Sequence, residues 1–256
     1  MKSFEETFSS RCLRASKWLL TKSVRSSLLR VPFLPASAAY ALDDIRFVEP
    51  DVLRFVGNTI KRGWCCIDVG AHCGTVSARL AKLVSPSGLV VAVEPVPSNA
   101  DLLERNLGAR GLRERCVIVR SAVGARPGRI AMVRGAHSTT WHMACPGESD
   151  QEMQTVEVIP LDTIATSHRL PDFVKVDVEG AEVDLVAGAR SVLLDARPIW
   201  LFEMHSPESW RLAANFFQSD YRAFDLQGVE LSFPLPGSLS YGHIVFCPLE
   251  KAEYLG

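Results

Sequence analysis

Asp68-Val69-Gly70-Ala71-His72-Cys73-Gly74 is the stretch on which the fold turns. It closes a short apolar run over residues 64–69 that reads as a buried strand, and it opens a helical pattern over residues 75–83. Glycines between a strand and a helix let the backbone turn sharply and approach a ligand closely. Twenty residues past Gly74, at the end of a second apolar run over 89–93, stands Glu94. A carboxylate there can accept hydrogen bonds from both hydroxyls of a ribose. A dinucleotide site would show the spacing G-x-G-x-x-G, with a helix N-terminus facing a pyrophosphate. The spacing here is D-x-G-x-x-x-G, with an acid ahead of two glycines. That pattern suits a cofactor that carries an amino group and no phosphate, and S-adenosylmethionine is such a cofactor. Asp68, Gly70, Gly74 and Glu94 are therefore expected to bind it.

Outward from this core the chain alternates. Residues 98–111 read as a helix, with Ser98 as its cap and Gly111 as its stop. Residues 116–119 read as a third strand. Residues 121–133 read as a hairpin-like pair turning at Gly124, Pro127 and Gly128. Residues 154–159, 173–178, 198–202, 221–224 and 242–247 read as further strands, and 181–194 and 208–217 as helices. Strands that alternate with helices imply a mostly parallel sheet covered on both faces. Residues 135–151 lack periodicity and read as a long loop, a common setting for function. Trp141 in that loop offers a ring for stacking on a sugar. His137 and His142 lack a third ligand nearby, and no metal is expected.

A second constellation is Lys175-Val176-Asp177-Val178-Glu179-Gly180-Ala181-Glu182, at the end of an expected core strand. Asp177 and Glu179 share a face, because strand side chains alternate. Leu201-Phe202-Glu203-Met204-His205 ends the next core strand, with Glu203 and His205 sharing a face. Neighbouring strands lie about 4.8 Å apart. If these two are neighbours, the acids and the histidine crowd one rim, where charge without partners is costly and a functional site is the better explanation.

Taken together, residues 68–74, Val93-Glu94-Pro95, Leu161-Asp162-Thr163-Ile164, residues 175–182 and Glu203-Met204-His205 resemble the FkbM family of S-adenosylmethionine-dependent methyltransferases. Glu49-Pro50, ahead of the first strand, fits as well. The similarity runs from about Glu49 to His205. It implies a Rossmann-like methyltransferase fold: an α/β protein with a mostly parallel seven-stranded sheet, an antiparallel last strand and helices on both faces. It also implies methyl transfer to a hydroxyl oxygen of a sugar or secondary metabolite. Carried over by position, the resemblance puts Gly70 and Gly74 at the cofactor and Glu94 at its ribose. Ser121 and Ala122 fall on the adenine side, and Asp177 near the methionine end. The chain departs at His72, where relatives often place asparagine. A hydroxyl must lose its proton as it attacks. His205 is the candidate base, since a neutral imidazole suits that task near pH 7. Glu179 or Glu203 would orient the base or the acceptor.

The chain has 256 residues, 47% of them apolar and 22% charged, with a net charge of -1. This fits one large domain, over residues 41–256, and not a protein that coats nucleic acid. The small-molecule or sugar acceptor is thus favoured over RNA or protein as substrate. A binding or scaffold protein of the same fold is the rival from another class. Residues 1–40 form a basic amphipathic segment, with Arg11, Arg14, Lys22 and Arg25 opposite Leu13, Leu20, Val24 and Val31. Packing on the domain, self-association and binding to an anionic membrane surface are its three readings. Of the seven cysteines none forms a C-x-x-C pair. Cys65, Cys66, Cys116 and Cys247 lie in expected strands and read as small buried hydrophobes. The odd number fits a reducing compartment, and a cytoplasmic location is expected.

Overall fold

The computed structural model describes residues 49–134, 141–143, 153–178, 180–204, 215–217, 220–232 and 242–255. The basic segment over 1–40, Glu179, His205, His137 and most of the helix expected over 208–217 lie outside them.

Helix α1 (Pro50–Thr59) precedes strand β1 (Cys65–Val69), helix α2 (Thr75–Val84) and strand β2 (Leu89–Val93). Helix α3 (Pro97–Ala109) and strand β3 (Cys116–Val119) follow. Then come the short strand β4 (Ala122–Val123) and strands β5 (Gly128–Arg134), β6 (Trp141–Met143) and β7 (Met153–Ile159). Helix α4 (Leu161–Ser167), strand β8 (Phe173–Val176), helix α5 (Glu182–Ala187) and strand β9 (Ile199–Met204) return to the core. Strands β10 (Tyr221–Phe224), β11 (Glu230–Leu231) and β12 (Gly242–Pro248) complete it.

The main sheet has the order β11-β10-β12-β9-β8-β1-β2-β3. Strands β3, β2, β1, β8 and β9 are parallel, and β12 runs antiparallel between β9 and β10. The seven strands expected from the resemblance are all present, including the reversed last one. The two-residue β11 adds an eighth at the edge, paired with β10 alone. The chain leaves β1 toward β2 on one side and later returns to β8 on the other. The carboxyl ends of β1 and β8 therefore flank the switch point at which sheets of this kind bind ligands.

Alternate strand positions feed two cores. Ile67, Val69, Val174, Val176, Trp200 and Phe202 face α4 and α5, where Leu161, Ile164, Leu185 and Val186 meet them. Cys66, Val90, Ala92, Phe173, Ile199 and Leu201 face α1, α2 and α3 through Val52, Val56, Leu80, Leu103 and Leu107. The central strands are buried on both sides. That is why they read as unbroken apolar runs and not as alternation. Cys65, Cys66, Cys116 and Cys247 are buried free thiols, as their apolar setting suggested, and Cys73 is buried as well.

Four expectations need correction. The stretch 121–133 is not a hairpin: β4 and β5 do not pair, because β7 lies between them in a second sheet of order β4-β7-β5-β6. Six registered pairs between β5 and β7 outweigh the local turn signal. Ser98 does not cap its helix, which starts one residue earlier with Pro97 in its first turn and Val96 at the cap position. Proline is favoured there because its missing N–H is not needed. The helix expected over 181–194 breaks at Gly188, where a Cβ would run into the carbonyl of Gly124. A separate helical turn (Val192–Ala196) follows. Trp141, read as a loop residue free to stack on a sugar, lies in β6 and is buried with Val96, Met132 and Val156.

Candidate functional site

The parallel strands end in step. Val69 pairs with Val93 and with Val176, and Val176 pairs with Phe202. One position further along, Gly70, Glu94, Asp177 and Glu203 therefore share a rim at the carboxyl edge of the sheet. The backbone knits the first three together. The N–H groups of Gly70 and Ala71 both donate to the Val93 carbonyl, at 3.0 Å each. The Asp177 N–H donates to the Val69 carbonyl at 3.0 Å.

The glycine turn needs its glycines. Gly70 and Gly74 have φ of +77° and +88°, which side chains rarely tolerate. A Cβ on Gly70 would also overlap the Asp177 carbonyl oxygen, and one on Gly74 the Leu103 side chain. Between them His72 has φ +48°. Asparagine and histidine are both over-represented in that left-handed region. The departure at His72 thus leaves the turn intact. Its N–H donates to Glu94 Oε2 at 2.8 Å, which ties the glycine turn to the second strand.

Glu94 is buried and richly bonded. Its Oε1 accepts from the Val96 N–H at 3.0 Å and from Asn99 Nδ2 at 3.4 Å. Burial still raises its pKa to about 7, against the pull of those donors, and the nearby Asp177 adds to the rise. Oε2 accepts one bond in this set and has a second lone pair for a ligand hydroxyl.

Asp68 sits beneath the turn with no exposed surface. Ser77 Oγ donates to its Oδ2 at 2.5 Å, and Lys175 Nζ lies 3.8 Å from its Oδ1. Burial raises the Asp68 pKa, with Lys175 and Ser77 acting against the rise. The same lysine is 2.8 Å from Asp177 Oδ2. Burial opposes the charge of Lys175, but the two carboxylates more than offset it and hold its pKa above the ordinary range. Lys175 thus links the floor of the turn to the rim. Ser121, just past β3, is buried, and its Oγ has no hydrogen-bond partner among the described residues. Ala122 begins β4 beside it.

Glu203 stands at the β9 end of the rim. Burial, then Asp177, then Glu49 raise its pKa to about 7. Glu203 Oε2 lies 3.8 Å from His243 Nε2, and the same nitrogen lies 3.1 Å from Glu49 Oε2. Of the expected catalytic residues, Glu203 is therefore at the rim, while Glu179 and His205 lie outside the described residues.

The sequence carried weak signals for two residues and none for a third. Lys175 and Glu49 fell inside quoted motifs without a role. His243 was read only as part of a final strand. Its place opposite Glu203 comes from the antiparallel register of β12 on β9, which no local pattern encodes.

Comparison with known proteins bears on this arrangement. A family model described as the methyltransferase FkbM domain matches residues 68–226. Protein-L-isoaspartate O-methyltransferase 1 of Archaeoglobus fulgidus is 38% identical over 60 residues, 23% of this chain and 28% of that protein. Methyltransferase FkbM from Methylobacillus flagellatus is similar over 74% of this chain and 44% of its own, at 19% identity and a TM-score of 0.47. An S-adenosylmethionine-dependent O-methyltransferase from Thermotoga maritima is similar over 79% of this chain and 66% of its own, at 17% identity and a TM-score of 0.43. The chain thus spans little more than a quarter of the length of the curated relative and less than half of the first of these structures.

Proposed function

The chain belongs to the FkbM methyltransferase family, and on that premise we propose that it is an S-adenosylmethionine-dependent O-methyltransferase acting on a hydroxyl of a sugar or secondary metabolite. The observation that carries the proposal is the convergence of Gly70, Glu94 and Asp177 on one rim at the switch point of the sheet. When bound, the cofactor supplies a methyl group already activated on a sulfonium, so the protein's work is placement and proton removal.

The residues present fit that cofactor. Ser121 offers a buried hydroxyl with no protein partner among the described residues, on the side where an adenine would lie. Glu94 has a lone pair toward a ribose hydroxyl. The rim is rich in carboxylates, with Asp177 close enough to raise the pKa of Glu94, Asp177 and Glu49 close enough to raise that of Glu203, and Lys175 as the ammonium facing Asp177. Such a rim suits a ligand that carries a sulfonium and an ammonium. Asp177, whose backbone carbonyl lies against Gly70, is assigned to the methionine end.

On the acceptor side, His205 is assigned as the base that takes the hydroxyl proton. Glu203, two residues before it on the β9 edge, orients the acceptor. The test is turnover with a labelled methyl donor over a panel of hydroxylated sugars and metabolites, with His205→Ala beside the native chain. Methyl transfer to oxygen is expected, lowered about 10²-fold or more in the variant. An unchanged rate in His205→Ala rejects the base. Labelling only of RNA or protein, or none at all despite cofactor binding, rejects the acceptor class or catalysis itself.

A further inference from the structure

Glu49, Glu203 and His243 come from three distant parts of the chain: the residue before α1, the end of β9 and the start of β12. Glu49 holds the N-cap position of α1, yet its side chain makes no capping hydrogen bond. It turns instead to His243, with Oε2 at 3.1 Å from Nε2. Glu203 Oε2 approaches the same nitrogen to 3.8 Å. All three donor atoms lie within 4.8 Å of one another.

These separations are those of a ligand shell. First-row divalent ions take imidazole nitrogen and carboxylate oxygen at about 2.0–2.2 Å, which puts neighbouring donors about 3.0 Å apart in an octahedron and about 3.4 Å apart in a tetrahedron. The 3.1 Å separation falls between those two edges, and the 3.8 Å separation is a few tenths of an ångström longer than the tetrahedral one. All three side chains are partly exposed, so small rotations close the shell without disturbing the core. The charge balance points the same way. Lys175, the nearby ammonium, is already held between Asp68 and Asp177. Glu49 and Glu203 both approach one imidazole nitrogen.

We propose that Glu49, Glu203 and His243 bind a divalent transition-metal ion at the acceptor side of the rim. Two carboxylates and one imidazole suit Mn2+ or Zn2+ better than Mg2+, which prefers oxygen alone. Three protein ligands leave positions open, the arrangement of reactive sites and not of closed structural ones. Its role rests on the methyltransferase reading given above. Asp177 and Glu203 lie one step beyond the paired Val176 and Phe202, so an ion held by Glu203 adjoins the rim. An acceptor hydroxyl in an open position would be fixed in place and made more acidic. Glu203 then orients the acceptor through the ion.

The test uses the full chain, freed of metal with a chelator and titrated with Mn2+ alone. Electron paramagnetic resonance follows loss of the free-ion signal, and the spin echo reports nitrogen coupling from imidazole. One Mn2+ per chain is expected, with nitrogen coupling. Glu49→Gln should weaken binding by about tenfold or more, and His243→Gln should abolish the nitrogen coupling. Calorimetry with adenosylhomocysteine on the same samples reports that each variant is folded. No specific Mn2+ binding, or binding that both variants leave intact, overturns the inference. Adenosylhomocysteine binding without Mn2+ binding overturns the metal site and leaves the methyl-donor reading standing. Mn2+ binding by the native chain that is lost in variants with native circular dichroism, with no adenosylhomocysteine binding even in the native chain, sustains the metal site and overturns the methyl-donor reading.

Discussion

Glu94 is held under two opposed demands. Its pKa of about 7 lies above the ordinary 4.5, because burial outweighs three hydrogen-bond donors. In the ligand-free chain it therefore contributes stability that is present below about pH 4.5 and lost as pH rises through about 7. A ribose hydroxyl donates to the ionised form, so ligand binding runs the other way. Adenosylhomocysteine affinity should be level above about pH 7 and fall by up to tenfold per pH unit below it. Glu94→Gln should bind more weakly and lose that slope. Calorimetric titrations from about pH 5.5 to 8.5 measure both, and a level profile for the native chain would contradict the role given to Glu94. The placing of Gly70, Gly74 and Glu94 was legible because it depends on spacing along one strand-turn-helix-strand unit. Asp68 was legible as an acid in the right place, but not its partners. Ser77 and Lys175 reach it from α2 and β8, and nothing in the local sequence marks them as its companions.

At the level of elements, the strands were the clearest. β2 and β3 fall on the expected residues, since a parallel strand is a short apolar run between turn residues, and so does the antiparallel β10. Short helices were not. α1 and α4 went unread, with 10 and 7 residues. The 7 residues of α4 give a helical period little room to declare itself, whereas α2, with as many residues as α1, was read. The break in the helix over 181–194 has a cause far away in sequence. Asp162, in the first turn of α4, accepts from the backbone N–H groups of Ser191 and Val192 at 3.0 and 2.9 Å. Its carboxylate caps the second helical turn across the chain. Asp162→Ala should cost about 1–2 kcal/mol, the scale of a lost cap. Urea unfolding would show a lowered midpoint, with adenosylhomocysteine affinity unchanged. An unshifted midpoint would mean that the cap does not stabilise the fold.

For the molecule as a whole, alternation of strand and helix was enough for the fold class, and the family resemblance supplied the reversed last strand. The second sheet was not legible. Its strands β4, β5 and β7 pair out of chain order, and turn signals speak only for neighbours in sequence. Among the described residues no helix is long and apolar enough to cross a membrane. What the whole sheet accomplishes is to bring Gly70, Glu94 and Asp177, from three different strand ends, to one edge. Calorimetry of the full chain with adenosylhomocysteine and, separately, with NAD tests most directly whether that edge holds a methyl donor. One adenosylhomocysteine per chain and no heat from NAD is the expected result. Binding of NAD instead, or of neither ligand, would contradict it.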